Sequence, residues 1–271
     1  MPELPEVETT RRGIEPHLLG KSITAVTLRA AKLRFPLEQS LCSVLPGCRI
    51  KAVTRRGKYL LLSMDGGTLL IHLGMSGHLH LSAPGSPPGK HDHFELELAD
   101  RKLLRLNDPR KFGTVLWLEG DPRSHPLLAG LGPEPLTDDF SAEYLYRISR
   151  KRTVAVKLLL MNSRLVVGVG NIYANEALFQ AGVAPQRPAG GLTTAECGRL
   201  VTAVKAVLAE AIERGGTSLR DYVDVEGNPG YFGLNLKVYG REGESCSVCA
   251  AALQQSRLGG RATCWCPVCQ R

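Results

Sequence analysis

The sequence predicts an α+β multidomain protein with an N-terminal helix, eight short β-strands, a helical region and a cysteine-rich tail. Three observations lead to this class. Apolar residues alternate with a period of two through residues 21–119, as in half-buried strands. The period becomes helical beyond a Gly/Pro-rich stretch at 131–135. Five of the 8 cysteines lie in residues 246–271. We place the domain boundaries at 1–132, 133–235 and 236–271.

Residues 1–20 are predicted to form one amphipathic helix. Its apolar face is made by Val7, Ile14 and Leu18. Gly20 suits the C-terminal end, because glycine adopts the left-handed conformation common there. Pro16 lacks a backbone N–H, so we expect it to kink or tighten the last turn.

The second element class is a series of short strands separated by turns. The predicted strands are Ser22–Leu28, Arg49–Val53, Tyr59–Met64, Thr68–Leu73, His78–Leu81, Phe94–Leu98, Lys102–Leu106 and Thr114–Leu118. Because no helix intervenes between them, the pattern favours a β-sandwich or a β-barrel.

The later part of the chain is predicted to be helical. The candidates are Ser141–Arg150, Val154–Met161, Ile172–Ala181 and Thr194–Arg214. The last helix is the clearest, since Thr193 and Glu196 have the spacing of a capping box. The glycine-rich segment 218–236 has no period and is expected to be a mobile loop.

Charge and hydropathy restrict the possible partners. The 34 Lys and Arg residues exceed the 26 Asp and Glu residues, which gives a net charge of +8 and favours a polyanion such as nucleic acid. No apolar run reaches the roughly 20 residues of a membrane span. The N-terminus also lacks the apolar segment of a secretory signal. We therefore expect a cytoplasmic protein.

The cysteine-rich tail is predicted to bind one structural zinc ion. Cys246, Cys249, Cys266 and Cys269 form two C-x2-C pairs separated by a span that a hairpin can close. Cys264 breaks this spacing and is left out of the ligand set. Free or redox-active thiols are the alternative. Arginines on the hairpin, among them Arg261, fit either a DNA contact or a solvated surface.

The N-terminus could carry nucleophilic chemistry. If Met1 is removed, Pro2 presents a secondary amine, and an α-amino group has a reference pKa of roughly 7.7–8.0. Attack on a sugar C1′ would then give an iminium ion. Glu3 could act as general acid, and Glu6 could orient the amine from one turn away. An ordinary helix start with acidic residues is the alternative. While Met1 remains, the nitrogen of Pro2 is an amide.

A set of motifs resembles the formamidopyrimidine-DNA glycosylase (Fpg, MutM) family. In chain order they are MPELPEVET, RRGKYLL, HLGMSG, KHDH, DPRKFG, LGPEPL, LVVGVGNIYANEALF, PGYF, VYGR and the final C-x2-C pairs. The resemblance implies a bacterial base-excision repair enzyme that removes 8-oxoguanine and formamidopyrimidines from duplex DNA and then cuts the abasic strand. It also implies a helix and β-sandwich domain, a helix–two-turns–helix DNA-binding domain and a zinc finger.

The resemblance assigns catalytic roles to five residues. Pro2 matches the Schiff-base nucleophile, Glu3 the acid that helps to open the deoxyribose ring, and Glu6 a supporting carboxylate. Lys58 matches the lysine of β-elimination, and Arg261 the arginine of δ-elimination. A guanidinium is a poor proton donor, so we expect Arg261 to stabilise charge.

The resemblance assigns DNA contacts to a second group of residues. Met75, Arg110 and Phe112 match the residues that fill the void left by the flipped base, with Arg110 reading the opposite cytosine. The backbone contacts are expected from His91, Arg152 and Asn171. The segment 229–232 matches a loop that caps the lesion. A metal site at His91-Asp92-His93 is rejected, because no third ligand is evident.

Three other functions fit parts of the sequence. An endonuclease VIII-like glycosylase for oxidised pyrimidines shares the Pro2 chemistry, but its N-terminus usually begins Pro-Glu-Gly-Pro-Glu. A non-catalytic zinc-containing DNA-binding protein would explain the basic charge and the tail. A proline-dependent tautomerase would explain only the N-terminus. The expected partner is damaged double-stranded DNA, with no membrane and no nucleotide cofactor, and the resemblance implies a monomer.

Overall fold

The computed structural model describes residues 1–216 and 236–271, so the predicted lesion-capping loop around 229–232 lies outside the described residues. The chain divides into two compact units. Residues 1–129 and Arg214–Gly216 belong to the first, whereas Gly130–Glu213 and residues 236–271 belong to the second. The second unit thus contains both the helical region and the cysteine-rich tail. The predicted boundaries at 132 and 235 stay a prediction.

The first unit begins with helix α1, Leu4–Leu18, and continues with strand β1, Ile23–Leu28. A four-residue helix that the sequence did not predict follows as α2, Leu41–Val44. The remaining strands are β2, Ile50–Arg56; β3, Tyr59–Met64; β4, Gly67–His72; β5, His78–Ser82; β6, Asp92–Leu98; β7, Leu103–Asn107; and β8, Thr114–Glu119. A short helix α3, Pro126–Ala129, ends the series.

The eight strands form two antiparallel four-stranded sheets, with orders β2-β3-β4-β8 and β1-β6-β7-β5. One apolar core contains residues from both sheets, such as Leu60 and Phe94, together with Val7 and Ile14 of α1. The predicted β-sandwich is therefore confirmed. Helix α1 continues past Pro16 to Leu18, and Gly20 follows with φ +76°.

The second unit contains the helices α4, Ala142–Ser149; α5, Val156–Leu160; α6, Asn171–Ala181; and α7, Thr194–Glu213. They surround an apolar core that includes Leu160, Tyr173, Leu200 and Val204. The predicted capping box is present, because Glu196 N–H donates to Thr193 Oγ1 over 3.2 Å and Thr193 N–H donates to Glu196 Oε2 over 2.8 Å. A hairpin of β9, Gln254–Leu258, and β10, Arg261–Trp265, completes the unit.

A helix that crosses a membrane is long and apolar. Within residues 1–216 and 236–271, none combines the length and the apolar character needed to cross a bilayer.

Candidate active site and nucleic-acid interface

Two buried carboxylates stand directly after Pro2. Glu3 is the N-cap of α1 and Glu6 is in its first turn, and each is only 2% exposed. The Glu3 N–H donates to Glu6 Oε2 over 2.7 Å, while the Glu3 side chain accepts from the backbone N–H of Glu6. This reciprocal capping box fixes the peptide next to the Pro2 nitrogen. Gly216 lies against it, since a Cβ there would be 3.1 Å from Glu6 Cγ.

Lys58 lies in the tight turn between β2 and β3, one residue before the strand that the sequence predicted. Gly57 has φ +57°, and its carbonyl accepts from Arg55 Nη1 over 2.8 Å. Arg55 also donates to Glu8 Oε2 over 3.1 Å, which attaches this hairpin to α1. Burial opposes ionisation of Glu8, but hydrogen bonds from Arg11, from the neighbouring Arg12 and from Arg55 prevail and its pKa is lowered. The N-terminal helix and the Lys58 turn are thus held by charge pairs.

His72 is a neighbour of Lys58 that was not predicted as a site residue. Burial, followed by the charges of Lys58 and Arg34, lowers the pKa of His72 to about 4. Its Nδ1 accepts the N–H of Gly74 over 3.0 Å, as a neutral imidazole can. The structure therefore places a neutral histidine between the Lys58 turn and the turn that carries Met75.

The structure brings Met75, Arg110 and Phe112 together on two adjoining turns. Met75 is 40% exposed and Phe112 is 45% exposed, and the Arg110 guanidinium lies 5.1 Å from the centre of the Phe112 ring. The turns meet backbone to backbone at Gly74, where a Cβ would lie 2.5 Å from the nitrogen of Gly113. Two exposed apolar side chains and a forked cation form a wedge suited to an opened base step.

The fully buried Asp108 stabilises these two turns. Its Oδ2 accepts the N–H of Gly113 over 2.7 Å, and its Oδ1 lies 3.5 Å from Ser76 Oγ. Its own N–H donates to the carbonyl of His91 over 2.9 Å. One carboxylate residue thereby connects three segments that are distant in sequence and that all carry predicted DNA contacts, namely Met75, His91 and Phe112.

The loop before His91 is attached to the β-sandwich by a buried arginine. Arg105 on β7 is 3% exposed and donates to the carbonyls of Ser86, over 2.5 Å, and Pro87, over 3.0 Å. Asp92 accepts the N–H of Gly89 over 2.7 Å. The half-buried His91 therefore follows a loop whose backbone is fixed at three points. Within the described residues, the only candidate metal cluster is the cysteine cluster of the tail, so the structure gives no support to a metal at His91-Asp92-His93.

In the second unit, Arg152 is exposed in the connection between α4 and α5, and Asn171 is the first residue of α6. The Arg152 carbonyl accepts the N–H of Gly190 over 2.8 Å. Gly170 is the N-cap of α6 and has no side chain to cap the positive end of the helix dipole. A helix start of this kind suits a phosphate group.

The four predicted zinc ligands converge. Their sulfur atoms all lie within 4.8 Å of one another, with 3.9 Å between Cys246 and Cys269 and 3.4 Å between Cys249 and Cys266. A tetrahedral zinc ion with Zn–S bonds of about 2.3 Å requires S···S separations of about 3.8 Å. Backbone N–H groups two or three residues further along also point at the sulfurs of Cys246 and Cys266 over 3.4 Å. The donor set and spacing fit a closed structural metal site, and Cys264 lies outside it.

Arg261 is exposed at the start of β10, immediately after the Gly259-Gly260 turn. The backbone that follows it is held by Lys157 of α5, which is fully buried. Lys157 Nζ donates to the carbonyl of Ala262 over 2.7 Å and to Thr263 Oγ1 over 2.8 Å. Lys157 was predicted only as one residue of the helix Val154–Met161, because no local pattern reveals a buried ammonium group.

Glu176 fixes the chain that enters the cysteine-rich tail. Its carboxylate accepts the N–H groups of Lys237, Val238 and Tyr239 over 2.8 to 3.1 Å. Burial raises the pKa of Glu176, although these three hydrogen bonds act in the opposite direction. The tail is therefore anchored to α6 at its entry as well as along β10.

Comparison with known proteins gives a consistent result over the whole chain. Residues 1–115 match the formamidopyrimidine-DNA glycosylase N-terminal domain, and residues 131–223 match the formamidopyrimidine-DNA glycosylase H2TH domain. The formamidopyrimidine-DNA glycosylases of Teredinibacter turnerae and Thioalkalivibrio sulfidiphilus are 57% and 56% identical to this chain, and each alignment covers 100% of both chains.

Solved structures agree with this assignment. The MutM (Fpg) protein of Thermus thermophilus has a TM-score of 0.88 at 43% identity and covers 99% of this chain and 98% of its own. Lactococcus lactis Fpg in complex with abasic-site DNA has a TM-score of 0.92 at 36% identity and covers 100% of both chains. The fold predicted from the resemblance is confirmed, and the chain belongs to the formamidopyrimidine-DNA glycosylase family, whose members are DNA glycosylases of base-excision repair.

Proposed function

We propose that this chain excises oxidised purines, 8-oxoguanine and formamidopyrimidines, from duplex DNA through a Schiff base at Pro2 and then cuts the strand by β,δ-elimination. The observation that carries the proposal is the buried pair Glu3 and Glu6 at the start of α1. Once Met1 is removed, the Pro2 amine is adjacent to both carboxylates. The Lactococcus lactis relatives bound to Fapy-dG and abasic-site DNA support the substrate class.

The chemistry begins with the amine of Pro2. Its lone pair attacks C1′ of the flipped nucleotide, the bond from C1′ to the base breaks, and the base leaves with a proton. Glu3 delivers a proton to the ring oxygen as the sugar opens, which leaves an iminium ion between the Pro2 nitrogen and C1′. Glu6 keeps Glu3 in place through the 2.7 Å hydrogen bond to its backbone.

Strand cleavage follows in two eliminations. Lys58 assists removal of the C2′ proton, and the phosphate on C3′ leaves. A second elimination then expels the phosphate on C5′, so both phosphates stay on the DNA ends. Arg261 stabilises the charge of the leaving phosphate, because a guanidinium stays protonated and binds two phosphate oxygens together.

DNA recognition is divided between the two units. Met75, Arg110 and Phe112 fill the position vacated by the flipped base, and Arg110 donates to the edge of the opposite cytosine. His91, Arg152 and Asn171 bind the phosphate backbone. Substitution of Arg152 by alanine should reduce the slope of log affinity against log salt by about 1 without changing lesion preference.

The cysteine cluster is proposed to hold one zinc ion through Cys246, Cys249, Cys266 and Cys269. With four thiolate ligands the ion has no open position, so its contribution is to the folding of the β9–β10 hairpin that carries Arg261. A monomer acting on chromosomal DNA in the bacterial cytoplasm completes the proposal.

Borohydride trapping on a duplex with 8-oxoguanine opposite cytosine tests the mechanism. We expect the adduct formed by reduction of the iminium ion to map to Pro2 of chains that have lost Met1, and a Pro2→Gly chain beginning with a primary amine to react more slowly. A folded, zinc-loaded chain that begins at Pro2 and gives no adduct would contradict the proposal. A competing duplex with an oxidised pyrimidine separates the purine reaction from the endonuclease VIII-like alternative.

A further inference from the structure

Asn175 is a buried amide that connects α6 with the hairpin bearing Arg261. It lies in the second turn of α6 and is 0% exposed. Its Oδ1 accepts the N–H of Cys264 over 2.9 Å, and its Nδ2 donates to the carbonyl of Asn171 over 2.5 Å. Both ends of the amide are therefore used, one on the helix start and one on β10.

The contact with Cys264 completes a continuous attachment of β10. Lys157 already holds Ala262 and Thr263, so three successive residues after Arg261 are bound to α5 and α6. A lysine side chain has four side-chain torsions, whereas Asn175 has two and ends in a planar amide. Asn175 is consequently the stiffer of the two connections, and it binds a backbone N–H of the strand, whereas Lys157 binds a backbone carbonyl and a hydroxyl group.

The same amide also touches the helix end that carries Asn171. Asn171 is the first residue of α6, and its carbonyl is the acceptor for Asn175 Nδ2. Asn171 and Arg261 are both proposed to bind DNA phosphates. The Asn175 amide links the Asn171 carbonyl to the N–H of Cys264, three residues after Arg261, and so fixes the spacing of the two segments that carry these phosphate contacts, much as a supporting shell fixes a catalytic group.

We propose that Asn175 is a positioning residue that holds Arg261 for the second elimination. The proposal rests on the role of Arg261 proposed above. The first elimination breaks the bond from C3′ to its phosphate oxygen before Arg261 is required, and the second breaks the bond from C5′ to its phosphate oxygen. Displacement of Arg261 therefore slows the second step more than base excision, and β-elimination product accumulates.

Product analysis with matched variants tests this. Asn175→Ala removes both hydrogen bonds, and Asn175→Asp keeps an acceptor for Cys264. Val204→Ala, in the core on α7, is the control for general destabilisation. We expect Asn175→Ala to excise 8-oxoguanine within about twofold of the parent rate and to lower the ratio of β,δ- to β-product by about tenfold, the factor that corresponds to one hydrogen bond. Asn175→Asp should recover most of this ratio, and Val204→Ala should leave it unchanged.

Amide hydrogen exchange on the zinc-loaded proteins gives a readout that does not depend on catalysis. The peptide containing residues 261–264 should exchange about tenfold faster in Asn175→Ala than in the parent or in Val204→Ala. Unchanged exchange there, or an equal change of product ratio in Val204→Ala, would overturn the proposal. If Arg261→Ala keeps the parent product ratio, the role of Arg261 is wrong, and the exchange result alone decides whether Asn175 positions the hairpin.

Discussion

Gly74 is the position at which the structure makes its sharpest prediction. It has φ +69°, in the left-handed region, and a Cβ would lie 2.5 Å from both Gly113 N and Phe112 C. Gly120 is a matched control, because it has φ +73° and an added Cβ there would meet no atom of the described residues within 4 Å. The two glycines thus share the backbone conformation and differ in the close approach.

The expected magnitudes follow from these two features. An alanine in the left-handed region costs roughly 1–2 kcal/mol, which is the whole expected effect of Gly120→Ala. Gly74→Ala adds an overpacking cost of about 1–3 kcal/mol, since the obstacle is backbone and cannot rotate away. We therefore expect Gly74→Ala to lower the free energy of unfolding by about 2–5 kcal/mol. Any relief of the clash separates the Met75 turn from the Phe112 turn and weakens binding of abasic-site DNA on the order of tenfold.

Urea unfolding measured by tryptophan fluorescence tests the stability term. The chain has 2 tryptophans, and a Trp265→Phe background leaves Trp117, on β8 in the first unit, as the reporter. DNA affinity is measured on the same proteins. Equal destabilisation by Gly74→Ala and Gly120→Ala would refute the backbone contact between the two turns, and equal DNA affinities would refute its role in recognition.

Three further predictions follow from the charges and caps. The imidazole of His72 stays neutral in the fold with a pKa of about 4, whereas the unfolded chain takes up a proton below about pH 6.5. The free energy of unfolding should therefore fall as the pH falls from about 6.5 to about 4, and the decrease due to His72 is at most about 3 kcal/mol. This decrease should be absent when the free energy of unfolding of His72→Gln is measured over the same pH range. Removal of zinc by a chelator should weaken binding of damaged DNA, while borohydride trapping at Pro2 persists at high protein concentration; unchanged affinity after verified metal loss would contradict it. Thr193→Ala removes the N-cap of α7 and should cost about 1 kcal/mol of unfolding free energy, measured by urea denaturation with Trp265 as the reporter.

Local sequence patterns were sufficient to predict most of the fold. Strand β3 was predicted with its observed bounds, and α6 differed by one residue at its start, because each combines a consistent period with clear flanking turns. Helix α2 was missed, since four residues are too few to show a helical period. Lys58 directly precedes strand β3 and lies in the turn after Gly57, whose φ is positive.

The site was predictable only where a local motif or a family motif marks it. The two C-x2-C pairs identify a metal cluster by spacing alone, and the sulfurs converge as expected. Asp108 and Asn175 have no such signal, because their partners lie in segments that the fold brings together. The bond from Asn175 to Cys264 spans 89 residues of sequence. A period or a spacing rule cannot detect a contact of this kind.

These contacts share one arrangement. A proposed DNA-binding side chain is exposed on a turn or a hairpin, and a buried polar side chain from another segment holds the backbone beside it. Asp108 does this for Phe112, and Asn175 for Arg261. Exposed side chains bound only to solvent would lose conformational entropy on binding DNA, and a fixed backbone reduces that loss. Substitutions at these buried positions should therefore alter DNA processing, and their effects should depend on the presence of the exposed side chain whose backbone segment they hold.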